Sequence, residues 1–100
     1  MIVEFMAESE QELTDSACCY ESKQPDLGRR FKVEVEAVVA FVEGNPLLQR
    51  EREGGYRRIN CPVFPDYLPY FIRSDKIIIA AVVHERQKPG YWNQRHSAAV

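Results

Sequence analysis

One hundred residues, 45% hydrophobic and 28% charged, suffice for a single folded domain over residues 1–100, leave no room for a second core and argue against a disordered chain. A net charge of −2 with an isoelectric point near 5.7 argues against a dedicated nucleic-acid binder. The start, Met1-Ile2-Val3-Glu4-Phe5, lacks the basic segment and long apolar run of a secretory signal, and no later run reaches membrane-spanning length, so a cytoplasmic protein with no membrane contact is expected.

Ile2, Val3 and Phe5 predict a short strand, and Ala7 to Glu21, free of Gly and Pro, predicts a helix. Leu13, Ala17 and Tyr20 share one face of that helix, while Glu8, Glu12 and Asp15 lie elsewhere around it. Cys18 and Cys19 are adjacent, and with one further cysteine and no Cys-x-x-Cys spacing they form neither a paired framework nor a zinc site; they read as reduced thiols, with no metal and no cofactor expected.

Gln24 to Gly28 is a break centred on Pro25, after which a second helix carries the clearest stripe in the chain, Leu27, Phe31, Val35, Val38 and Val42, with Ala37 and Phe41 widening the band. Gly44 ends it in an expected left-handed cap, with Asn45-Pro46 beyond. The short turn makes the two helices an antiparallel hairpin. Leu47 to Gly55 is polar and reads as a mobile connector.

The remainder reads as strand: Tyr56 to Cys61, Tyr67 to Ile72, and Lys76 to Val83, with Arg73-Ser74-Asp75 as a hairpin connection. Ile77 to Val83 is apolar throughout, as in a central strand covered on both faces, whereas Pro65 and Pro69 imply an edge or a bulge. The expected fold is α+β: an N-terminal strand and an antiparallel helix hairpin packed on a twisted antiparallel sheet of three to four strands.

Charge is unevenly placed. Residues 1–53 hold 6 basic and 12 acidic side chains, residues 54–100 hold 7 and 3, so the second half is cationic. Its tail gathers His84, Arg86, Lys88, Tyr91, Trp92 and Arg95, a surface suited to docking, although Trp92 could equally fold back to plug the end of the core. A lone histidine ending an apolar strand, with no placed partner, favours a structural role for His84. Arg57 and Arg58 point to opposite faces if they sit on one strand. No Ser/His/Asp order, Gly-rich phosphate loop or metal-ligand cluster can be assembled.

The layout resembles the RelE/ParE superfamily of bacterial toxins over nearly the whole chain. The matching pieces are Glu12-Leu13 through Tyr20-Glu21, Pro25-Asp26-Leu27-Gly28-Arg29-Arg30-Phe31, Asn45-Pro46, Tyr56-Arg57-Arg58, Phe64-Pro65, Tyr70, Ala81-Val82-Val83-His84 and Pro89-Gly90-Tyr91-Trp92. In this order they are closest to ParE, the plasmid-stabilisation toxin. The resemblance implies the toxin of a type II toxin-antitoxin pair, acting on DNA gyrase through protein contact and silenced by a ParD-like antitoxin. The RelE branch instead cuts messenger RNA in the ribosome, and a degenerate toxin would keep only antitoxin binding.

Metal-independent RNA cleavage of the RelE kind requires proton carriers and cations around a phosphate. At the matching positions this chain offers Arg58 and, approximately, Asn60 in place of two lysines, and Tyr67 in place of an arginine; Arg86 remains as a phosphate clamp and Tyr91 as an acid. A guanidinium is a poor proton carrier, so the set is incomplete and catalysis is the weaker expectation. The expected target surface is Arg58, His84, Arg86, Lys88, Tyr91, Trp92 and Arg95. An antitoxin tail that adds a strand to a free edge and lays a helix in a groove is expected to meet Leu13, Tyr20, Phe31, Arg57 and Arg73.

Overall fold

The computed structural model describes residues 1–98. Strand β1 (Ile2–Phe5) leads into helices α1 (Ala7–Lys23) and α2 (Leu27–Gly44), followed by strands β2 (Arg57–Asn60), β3 (Asp66–Arg73), β4 (Lys76–Ile79) and β5 (Val83–His84) and a short helix α3 (Asn93–Ala98). The α+β expectation holds, with one difference in the sheet. Its order is β1-β4-β3-β2, and β1 runs parallel to β4, Val3 opposite Ile77 and Phe5 opposite Ile79, so the sheet is mixed. Alternation in the sequence of β1 sets which side chains face the core but is indifferent to strand direction.

The apolar run after Lys76 is not one strand. Tyr70 pairs with Ile79 and Tyr67 with Val83, so three steps along β3 face four along the opposing chain. The extra residue falls beside Pro69, which has no N–H to give to a ladder, while the Pro69 carbonyl accepts from Ala80 N at 2.9 Å. The bulge divides the run into β4 and β5.

Each face of the sheet carries its own core. Toward the helices, Phe31, Val35, Val38 and Val42 of α2 and Ala17 and Tyr20 of α1 pack on Ile59, Leu68, Tyr70, Ile77 and Ile79. On the far face Tyr67, Phe71, Ile78 and Val83 are covered by Trp92. The expected stripe of α2 is therefore the buried one, and Leu13 joins it only in part.

The helix hairpin is antiparallel: Gly28 at the start of α2 lies against Ala17 near the end of α1, and a Cβ there would stand 2.4 Å from the Ala17 carbonyl oxygen. Asp26 adopts φ 73° before α2, and the Glu21 carboxylate accepts from Asp26 N at 2.8 Å and Gly28 N at 3.0 Å, a side-chain substitute for the missing N-cap bond. At the other end Gly44 remains helical and no left-handed cap forms. Asn45, at φ −141°, closes the helix by donating its backbone N–H toward Phe41 O and Val42 O and its side-chain amide to Phe41 O.

Candidate partner-docking site

Two regions compete for a docking role. The first is the C-terminal margin that the sequence singles out. Trp92 is only 2% exposed, with the rings of Tyr56, Tyr67 and Tyr91 edge-on around it at 5.3 to 5.7 Å. It plugs the far-face core and offers nothing to a partner, which corrects its assignment to a contact surface.

Tyr91 and Arg95 are also committed within the fold. The Arg95 guanidinium makes a two-pronged ion pair with Glu12 of α1 at 2.9 and 3.0 Å and donates to Ala80 O at 2.8 Å. Tyr91 donates its hydroxyl to the same carboxylate at 2.9 Å, and Val82 N donates to it at 3.1 Å. Burial, then the bond to Glu12, drive the Tyr91 hydroxyl well above the ordinary phenol range, so it holds its proton firmly. Glu12, which sequence alone leaves among the solvent-facing acids, is the residue that locks the tail to α1.

The remaining tail residues divide. His84 is half-buried and its Nδ1 accepts from Arg86 N at 3.1 Å, while His84 N donates to Gln87 Oε1 at 2.8 Å, so this imidazole shapes a turn. Arg86 and Lys88 are exposed. Arg58 lies on the far face with its guanidinium 3.9 Å from the Tyr67 ring centre, whereas Arg57 lies on the helix side, opposite Tyr70, and donates to Gln49 O at 2.6 Å. The two arginines thus do point to opposite faces.

Beneath the helices, Tyr20 donates its hydroxyl to buried Asp66, and Tyr20, Phe31 and Phe64 form a triangle of rings 4.9 to 5.1 Å apart. Desolvation raises the Asp66 carboxyl above its usual range and pushes the Cys61 thiol up to about 12. With Phe31 fully buried and Tyr20 nearly so, neither can meet an antitoxin directly, which corrects that expectation. Arg73 is half-buried at the β3–β4 hairpin, away from the second region described next.

That second region is an open groove of about 700 Å³ between α2 and β2. Val33, Ala37, Val38 and Phe41 of α2 form one wall, and Ile59 and Pro62 form the other. Val33 and Phe41 are 52% and 45% exposed, and Leu47, Leu48 and Val63 are exposed as well. Among the described residues β2 is a sheet edge, paired only with β3, so half of its backbone donors and acceptors point outward.

The groove mouth is polar. Arg29 is held by Asp26 at 2.6 and 2.9 Å, Arg30 is exposed, and Glu34 accepts from Val63 N and Phe64 N, tying the loop after β2 to α2. The signal for this site was present in the spacing Val33, Ala37, Phe41. That i, i+4, i+8 row lies beside the buried stripe, so α2 is apolar over more of its circumference than one core requires.

The comparisons with known proteins agree with this architecture. Residues 3–89 match the family described as the ParE toxin of type II toxin-antitoxin system, parDE. Among solved structures, the chain is similar to one titled "Chromosomal ParDE TA system from P. aeruginosa", at 17% identity and a TM-score of 0.64, over 84% of this chain and 95% of the other. No curated protein sequence matches the chain.

Proposed function

Since this chain belongs to the ParE toxin family of type II toxin-antitoxin systems, we propose that it inhibits DNA gyrase in the cytoplasm by protein-protein binding. In this reading a cognate ParD-like antitoxin neutralises it by occupying the α2–β2 groove. A tail of alternating apolar and acidic residues fits there: its apolar residues meet Val33, Ala37 and Phe41, an acid meets Arg30, and an extended segment pairs with the outer edge of β2. The observation that carries the docking role is the coincidence of an exposed apolar helix face with the open outer edge of β2.

Binding rather than RNA cleavage is favoured by the state of the three candidate catalytic groups. Tyr91 is bonded to Glu12 and holds its proton, Arg58 is stacked on Tyr67, and Arg86 is exposed on the turn after β5. A half-buried phenol already donating to a carboxylate is a poor proton source for a leaving oxygen. The exposed cations Arg86 and Lys88 remain the part of the tail open to a target.

The test is induction of the chain without antitoxin. Accumulation of trapped gyrase-DNA cleavage complexes and a DNA-damage response, with messenger RNA intact, is the expected result. Early messenger cuts at ribosomal positions without gyrase trapping would replace this reading with the RelE-like one, and the absence of any growth effect would leave antitoxin binding alone.

A further inference from the structure

The α2 helix is apolar on both sides of its buried stripe. On the flank away from the α2–β2 groove, Val35, Val39 and Ala40 join Leu13 of α1 and Phe5 of β1 to floor a second cleft of about 420 Å³. Its rim carries three exposed carboxylates, Glu10 of α1 and Glu36 and Glu43 of α2, and none of them has an ion pair among the described residues. The first groove differs in charge, since its mouth carries the cations Arg29 and Arg30 beside the single lining carboxylate Glu34.

A second feature points the same way. The last turn of α2 holds no basic residue, so Glu43 sits uncompensated beside the negative end of the helix dipole. Glu36 lies two turns earlier on the same flank. The Glu43 carboxylate repels the helix terminus, and an approaching cation relieves that repulsion. An apolar floor with such a rim selects a ligand that brings hydrophobic side chains and positive charge together, spaced along one face.

We propose that this cleft docks a basic amphipathic helix of a partner protein, its aliphatic residues on Phe5, Leu13 and Val39 and its lysines or arginines against Glu10, Glu36 and Glu43. Because α2 separates this cleft from the groove, both can be occupied at once. The inference is independent of the gyrase reading.

The experiment follows amide signals of the labelled full chain by NMR while a synthetic helix of about four turns is added, built from leucine and lysine. A second peptide carries glutamate in place of lysine. The lysine peptide is expected to shift Glu10, Leu13, Glu36, Val39 and Glu43, and the glutamate peptide to leave them in place. Combining E36K with E43K should weaken binding by about tenfold or more. Combining E51K with E53K, the same change in net charge on exposed connector residues, should alter it by less than about twofold. Both cleft positions are exposed and a lysine at 43 suits the helix terminus, so the fold is retained. Shifts centred on Val33, Ala37 and Phe41, equal losses in the two double variants, or equal binding of the glutamate peptide would each overturn the proposal.

Discussion

The C-terminal margin and the α2–β2 groove use their residues in opposite ways. The margin is rich in the types that usually make interfaces, Trp, Tyr and Arg, yet Trp92 is buried and Tyr91 and Arg95 are bound to Glu12. The groove has only Val33, Ala37 and Phe41 to show, and these are left facing outward. Residue type describes what a side chain can do for an interface; whether it does so depends on which partners the fold supplies first. In a small domain the far face of a sheet must be covered by something, and here the tail performs that task.

The comparison can be broken most forcefully at Trp92. Trp92→Ala is expected to remove about 3–5 kcal/mol of stability in denaturant unfolding, because the far-face core loses its cover; a loss under about 1 kcal/mol would show that the margin is not a structural plug. Next in size is Ala37→Glu in the groove. It should weaken antitoxin binding about a hundredfold, near 2.7 kcal/mol, by setting a carboxylate on the apolar wall. Its unfolding midpoint should scarcely move, since Ala37 is exposed.

Glu12→Gln sharpens the margin side. It keeps the shape but leaves the Arg95 guanidinium without its counter-charge, and about 1–3 kcal/mol of stability should be lost. This is less than for a fully buried pair, because the Arg95 and Glu12 side chains are 18% and 22% exposed. The Tyr91 phenol should also titrate at lower pH in this variant, readable by ultraviolet absorbance, because one cause of its upward shift is gone. An unchanged Tyr91 titration would deny the clamp.

The smallest effect concerns Asp66. Burial raises its carboxyl in the folded state, so folding favours the protonated form, and the wild type loses stability as pH rises from the unfolded carboxyl value of about 3.9 through the folded one. Asp66→Asn keeps an oxygen for the Tyr20 hydroxyl and removes the charge. It should therefore be more stable than the wild type at neutral pH, with the gain vanishing in acid. A gain that is constant with pH would refute this origin.

Much of the fold was legible because its signals are local. The stripe Phe31, Val35, Val38, Val42 fixes the buried face of α2, and the unbroken apolar run Ile77 to Ile79 gives a strand covered on both faces. Partner choice was not legible: nothing in Ile2 to Phe5 says that the strand runs parallel to Lys76–Ile79, and only pairing on β3 reveals the bulge beside Pro69. Glu12 was invisible as a clamp because one acid among several on a helix carries no mark of the arginine 83 positions later that completes it. Phe31 and Tyr20 were misassigned to a surface for the opposite reason. Strong apolar spacing locates the core more reliably than it locates a contact, and the weaker row beside it marks the exposed groove.

Hydrogen exchange on the toxin, free and bound to its cognate antitoxin, tests the central claim most directly, since it reads backbone pairing at the β2 edge amide by amide. Added protection at Arg57 to Asn60 and reduced exchange along Val33 to Phe41, with the tail from Glu85 to Arg95 unchanged, is the expected pattern. Protection confined to the tail, with β2 exchanging as in the free chain, would contradict the account.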